Sequence, residues 1–92
     1  MKITYDPEKR KVTLDHRELD FDDAADLFAS VHYTQLDQRR DYGEDRQISV
    51  GLIGNDTIVI VWTQRDDSRR IISMRKADRD ERQQYREWLD RS

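Results

Sequence analysis

The sequence predicts an α+β domain in which helices pack on an antiparallel β-sheet. Three apolar, strand-like segments joined by short turns lie between residues 46 and 76, and helical patterns lie on either side of them. A chain of 92 residues can form one modest core but not two. We therefore expect a single domain over residues 1–92.

The N-terminal segment is expected to form a short strand and then a helix. "MKITY" alternates as a strand does, and "DPEK" is typical of a helix start, with Asp6 as N-cap and Pro7 at the first helical position. The next stretch, "RKVTLDH", has two interpretations. Val12 and Leu14 alternate as in a strand, yet a helix to about His16 fits equally well.

A second helix is expected in "LDFDDAADLFAS", where Asp20 or Asp22 can cap the start. One helical face carries its apolar side chains: Phe21, Ala24, Ala25 and Phe28. Residues 31–34 are expected to form a strand, followed by a loop to about residue 42.

The next three segments predict an antiparallel meander. "RQISVGLIG" alternates, "TIVIVWT" is apolar on both faces as a central strand is, and "RRIISMR" follows the connection "QRDDS". In a regular third strand, two sets of side chains point to opposite faces: Arg70, Ile72 and Met74 on one, and Arg69, Ile71, Ser73 and Arg75 on the other.

The last segment predicts a helix through about Leu89. Asp78 and Glu81 have the spacing of a capping box. Glu81 and Tyr85 then share a helical stripe with Leu89, beside a stripe of arginines. We expect all helices to pack on one face of the sheet.

Composition limits the classes of protein. The chain has no cysteine, which excludes a disulfide scaffold and a thiolate metal site and fits a cytoplasmic location. No apolar stretch is long enough to cross a bilayer, so we expect no membrane association. His16 and His32 lack the spacing of a zinc site, and no phosphate-binding glycine loop is present. We therefore expect neither a metal nor a cofactor.

Charge is distributed unevenly along the chain. The net charge is −3, but residues 1–45 carry 7 Lys and Arg against 12 Asp and Glu, whereas residues 46–92 carry 10 against 8. Thirteen of the cationic residues are Arg, whose planar donors can hold two phosphate oxygens at once. This pattern suggests a local anion site on an acidic protein.

Four side chains could converge if the last helix folds over the end of the third strand: Arg65, Arg75, Arg82 and Tyr85. Such a group suits metal-free RNA cleavage, in which the 2′-hydroxyl of the RNA attacks the adjacent phosphorus. Guanidinium groups beside Tyr85 would lower its pKa, as a base requires. The alternative is that the arginines of the helix form solvated ion pairs and that Tyr85 packs in the core.

Several segments resemble the BrnT family of type II toxin–antitoxin toxins: "YDPEKR", "LDFDDAADLFA", "YGEDRQISVGLIGNDTIVIVWTQR" and "RRIISMRKADRDERQQY". The similarity covers about residues 3–86. The resemblance implies a RelE-like fold and a ribonuclease that inhibits translation. It also implies a BrnA-like antitoxin with a ribbon-helix-helix domain, through which the complex binds its operator DNA.

The resemblance also implies site residues. As catalytic residues we expect Arg65, Arg75, Glu81 and Tyr85; as RNA-binding residues we expect Arg46, Arg70, Arg82, Arg17 and His16. The family's Lys-His-Gly element is shifted or replaced in "DHRE": counting back from Leu19 places Arg17 at the histidine position, and His16 falls one place early. A catalytically impaired BrnT-like module, acting as antitoxin partner and transcriptional corepressor, is the alternative function.

Overall fold

The computed structural model describes residues 1–91. Its elements in chain order are β1 (Lys2–Tyr5), α1 (Pro7–Arg17), a 3-10 turn (Phe21–Asp23), α2 (Ala24–Ala29), β2 (Tyr33–Leu36), β3 (Gln47–Ile53), β4 (Asp56–Arg65), β5 (Ser68–Lys76) and α3 (Arg79–Arg91). Over these residues, the helices are all too short or too polar to cross a membrane.

The five strands form one sheet in the order β1-β5-β4-β3-β2. The predicted antiparallel meander of β3, β4 and β5 is confirmed, and β2 extends it in the antiparallel sense. The expectation of a purely antiparallel sheet is wrong, because β1 pairs with β5 in parallel. The long connection between these two strands, which carries two helices and three strands, makes the parallel pairing possible. The sheet is therefore mixed.

Helices cover both faces of the sheet, so the expectation of helices on one face is also wrong. Phe21, Ala24 and Leu27 pack with Ile58 and Ile60 of β4 on the face that we call the α1–α2 face. On the opposite face, the α3 face, side chains of α3 pack on β3 and β4 through a second cluster: Val50, Val59, Ala77 and Tyr85. A central strand that is apolar on both sides needs cover on both sides.

A β-bulge changes the predicted orientation of β5. Val61 pairs with Ser73 but Trp62 pairs with Ile71, which leaves Ile72 as an extra residue. As a result Ile71 and Met74 both join the core of the α1–α2 face. The prediction that Arg70 and Arg75 point to opposite faces is therefore wrong. Arg70 pairs with Thr63 of β4 and Arg75 pairs with Val59. Thr63 and Val59 are four residues apart in one strand and point to the same side, so both arginines lie on the α3 face.

The N-terminal half follows the sequence prediction with two corrections. The helical interpretation of residues 7–17 is confirmed, and the Asp6 carboxylate accepts a hydrogen bond from the Glu8 amide. In the second helical segment Leu27 is buried with Phe21 and Ala24, whereas Ala25 is exposed. The opening 3-10 turn, capped by Asp20, shifts the phase of the helix. The strand expected at residues 31–34 lies two residues later.

Gly51 allows α2 to pack tightly on β3. A Cβ atom at this position would lie 2.8 Å from the His32 Cβ atom and 3.0 Å from the Leu27 Cγ atom. Both distances are shorter than van der Waals contact, so a side chain here would force α2 away from the sheet. Close approach is what places Phe28 of α2 over Trp62, with ring centroids 5.6 Å apart.

Candidate functional site

The α3 face carries guanidinium groups from three neighbouring strands. Arg70 and Arg75 extend from β5 and Arg65 from the end of β4. Arg46 directly precedes β3, and its alternation with Ile48 and Val50 places it on the same face. The packed residues of α3 cover the part of this face near β3 and the start of β4. The bulge at Ile72 is therefore what places Arg70 on the same face as Arg75.

Arg75 forms a bidentate ion pair with Glu81. The Nη1–Oε1 distance is 2.6 Å and the Nη2–Oε2 distance is 2.7 Å. Glu81 also accepts a hydrogen bond from the Asp78 amide, while the Asp78 carboxylate accepts one from the Glu81 amide, so the predicted capping box is confirmed. The hydrogen bonds from Arg75 lower the pKa of Glu81. Glu81 is therefore ionised at neutral pH.

Arg46 and Arg70 are not neutralised by carboxylates. Neither takes part in the ion pairs found among residues 1–91. The Arg46 guanidinium carbon lies 4.1 Å from the centre of the Tyr42 ring, and its Nε atom is buried without a hydrogen-bond partner. A half-buried cation gains most from a ligand that brings negative charge. These two side chains therefore carry positive charge on the α3 face that no carboxylate of residues 1–91 neutralises.

An Asp37–Arg39 pair, which was not predicted from the sequence, borders this surface. The buried Asp37 carboxylate accepts hydrogen bonds from Arg39 Nε at 2.8 Å and Nη2 at 2.7 Å. Those bonds lower the pKa of Asp37. The Asp37 amide also bonds to the carbonyl oxygen of Arg46, which ties the end of β2 to the site. The only signal in the sequence was an Asp two residues before an Arg in a polar loop.

Arg65 lies far from Arg75. Arg75 pairs with Val59 in β4, and Arg65 is six residues further along that strand, a separation of roughly 20 Å. Arg65 is 54% exposed, and its Nη2 atom lies 3.1 Å from Glu44 Oε2. The prediction that Arg65 and Arg75 lie close together is therefore wrong.

Tyr85 is part of the core beneath α3. Only 3% of it is exposed, its ring packs near Tyr33 and Trp88, and its hydroxyl donates a hydrogen bond of 2.5 Å to the Val31 carbonyl oxygen. Burial raises the pKa of Tyr85. The expectation that guanidinium groups lower this pKa is wrong, because the phenol faces apolar side chains and a carbonyl rather than arginines.

Arg82 also turns away from the expected cluster. Its Nη1 atom donates a hydrogen bond of 2.8 Å to the carbonyl oxygen of Ala77, at the connection between β5 and α3. This contact stabilises the turn that leads into α3. Arg82 is exposed, so its remaining donors are open to solvent.

His16 and Arg17 lie at the outer edge of β5, beyond the end of β1. Both line a groove of about 450 Å³ between α1 and the bulge residue Ile72. Arg17 Nη1 donates a hydrogen bond of 2.7 Å to the carbonyl oxygen of Met74, directly before Arg75 in the chain. Arg17 thus reaches the strand edge next to the α3 face, while His16 stays on α1.

The model for the family described as "Ribonuclease toxin, BrnT, of type II toxin-antitoxin system" matches residues 5–81. A comparison with curated proteins gives no match. The matched range includes the Arg75–Glu81 pair and the unpaired arginines and ends before Arg82 and Tyr85. Because the match extends over most of the sequence, the chain belongs to the BrnT family of ribonuclease toxins of type II toxin–antitoxin systems.

Proposed function

We propose that the chain is a toxin endoribonuclease that cleaves RNA without a metal ion on its α3 face. The observation that carries this proposal is the Arg75–Glu81 ion pair, which shares a face with the unpaired Arg46 and Arg70. Cleavage of RNA by its own 2′-hydroxyl needs cations that stabilise the negatively charged phosphorane and a group that accepts the proton of the 2′-hydroxyl. Both requirements are met within this set of residues.

Arg46 and Arg70 bind the RNA backbone, because they are cations without a carboxylate partner. The phosphate that reacts binds Arg75, competing with Glu81 for its guanidinium. As Arg75 turns to the phosphate, the pKa of Glu81 rises towards its ordinary value, the direction that a base requires. Three hydrogen bonds occupy the Glu81 oxygens, out of about four acceptor sites in a carboxylate. One acceptor site on Oε2 therefore remains.

In the reaction the 2′-oxygen attacks phosphorus and the bond from phosphorus to the 5′-oxygen breaks. Glu81 accepts the proton from the 2′-hydroxyl, and water protonates the leaving 5′-oxygen. The products are a 2′,3′-cyclic phosphate and a 5′-hydroxyl. Tyr85 holds α3 in position through its bond to Val31 and is a positioning residue in this scheme. Arg65 and Arg82 contact the RNA away from the reacting phosphate, and Arg17 and His16 border its path at the edge of β5.

The cellular role follows from the same activity. Cleavage of RNA in the cytoplasm inhibits translation, and a BrnA-like antitoxin with a ribbon-helix-helix domain neutralises the chain and carries the complex to operator DNA. A RelE-like arrangement is part of this proposal, and the mixed sheet with α3 on one face is compatible with it.

The test is cleavage of a defined RNA by the purified chain in the presence of EDTA. We expect cleavage, and fragments with 2′,3′-cyclic phosphate ends. The variant Arg75→Gln should lower the rate at least roughly a hundredfold, since it removes a cation from the transition state. An inactive wild-type chain that still binds the antitoxin would contradict the ribonuclease proposal and support the corepressor alternative.

A further inference from the structure

Arg69 is a half-buried cation on the α1–α2 face, opposite the proposed RNA site. Its guanidinium carbon lies 4.0 Å from the centre of the Phe28 ring and 5.2 Å from that of Trp62. Its Nε atom is buried without a hydrogen-bond partner, and no ion pair among residues 1–91 includes it. These two cation–π contacts hold the guanidinium beside the rings.

The two strand neighbours that pair with Arg69 carry no carboxylate. Strand pairing places Ile3 and Gln64 directly beside Arg69, and it places Gln47 and Leu36 in the next row, which continues from Trp62. We call this set of side chains the Arg69 fringe: Ile3, Leu36, Gln47, Gln64 and Arg69. Leu36 is 44% exposed although it is apolar. The fringe therefore combines apolar contacts at its two sides with amide donors and one cation between them, a composition typical of protein interfaces.

The energetics of Arg69 favour a ligand with a single negative charge. Burial lowers the pKa of Arg69, and no acidic neighbour opposes this effect. In contrast, Arg10 and Arg75 are partly buried arginines that each bind a carboxylate, and that partner raises the pKa of each. A carboxylate bound to Arg69 would offset the effect of burial on its pKa in the same way, and it would accept a hydrogen bond from the buried Nε atom.

We propose that the Arg69 fringe is a docking surface for the antitoxin, and that Arg69 receives a carboxylate from an antitoxin side chain. This inference rests on the proposed function in assuming an antitoxin partner. RNA fits the surface less well, because a phosphate backbone is bound by several cations and Arg69 is alone on the fringe.

The experiment measures affinity for the purified cognate antitoxin by calorimetry, and RNA cleavage by the free chain, for the same set of variants. Arg69→Gln removes the cation. Gln64→Glu leaves the packing of Arg69 unchanged but places a carboxylate at its cross-strand position, where it competes with the antitoxin. Gln84→Glu adds the same charge on the exposed side of α3 and is the matched control.

We expect Arg69→Gln and Gln64→Glu to raise the Kd for the antitoxin at least roughly tenfold, with Gln84→Glu near the wild-type value. RNA cleavage by all three free variants should stay within about twofold of wild type. Unchanged antitoxin affinity in both fringe variants would overturn the inference. Reduced RNA cleavage with unchanged antitoxin affinity would overturn it in favour of an RNA contact. A wild-type chain that binds antitoxin but cleaves no RNA would refute the ribonuclease alone, because the affinity measurement does not depend on cleavage.

Discussion

The guanidinium of Arg75 and the carboxylate of Glu81 face each other through two parallel hydrogen bonds, 2.6 and 2.7 Å long. Glu81 also completes the capping box with Asp78, so one carboxylate joins the end of β5 to the start of α3. The cation proposed to bind the phosphate and the group proposed to act as base are thus held in one unit. Variants of this pair should affect chemistry more than folding.

Glu81→Gln should separate catalysis from stability. Glutamine can keep the capping box but cannot take the proton of the 2′-hydroxyl. We expect RNA cleavage to fall at least roughly a hundredfold. The free energy of unfolding should fall by only about 1 kcal/mol, because the pair is partly exposed. Cleavage within threefold of wild type, measured on a 5′-labelled RNA beside a urea titration, would remove Glu81 from the mechanism.

The contribution of the pair to stability should depend on pH. Arg75 lowers the pKa of folded Glu81, whereas the unfolded value is about 4.3. A lowered folded pKa stabilises the chain above the unfolded pKa, and the contribution disappears as pH falls through the folded pKa. The stability difference between wild type and Glu81→Gln should therefore be full at pH 7 and shrink below about pH 4. A difference that grows on acidification would contradict the direction of this shift.

Arg70→Gln should weaken RNA binding without affecting the fold. Arg70 has no carboxylate partner among residues 1–91, so its removal leaves no buried charge behind. We expect the affinity for an uncleavable RNA to fall about tenfold. The slope of log affinity against log salt concentration should also decrease by about one, the amount for one lost phosphate contact. Arg86→Gln, on the exposed surface of α3, is the matched control. Equal losses in both variants would mean that the arginines act only through total charge.

Tyr85→Phe tests whether the phenol positions α3 or transfers protons. Loss of the hydroxyl leaves the Val31 carbonyl oxygen without this partner, which should lower the free energy of unfolding by about 1–2 kcal/mol. We expect cleavage at 25 °C to change by less than about fivefold, well below the usual contribution of a general acid or base. A hundredfold loss at unchanged stability would restore the catalytic role that was expected from the sequence.

The sequence was sufficient for features that depend on local patterns. The apolar runs around Ile48, Ile60 and Ile71 predicted the meander, and the spacing of Asp78 and Glu81 predicted the helix start. In each case a few adjacent residues determine the outcome.

Features that depend on pairing between distant segments were not predictable. The extra residue Ile72 breaks the alternation of β5 without any glycine or proline to mark it, and so moved Arg70 to the other face. The parallel pairing of β1 with β5 depends on a connection of more than sixty residues. Burial of Tyr85 likewise depends on Tyr33 and Val31, which lie in a different part of the chain.

The most direct test of the RNA site is a map of where RNA binds. A 15N-labelled chain would be titrated with a short RNA whose 2′-hydroxyl groups are methylated, so that binding occurs without cleavage. We predict amide shifts around Arg46, Arg70, Arg75 and Glu81, with the amides of α2 on the α1–α2 face unchanged. Shifts confined to the α1–α2 face, with the α3 face unaffected, would contradict the assignment of the site.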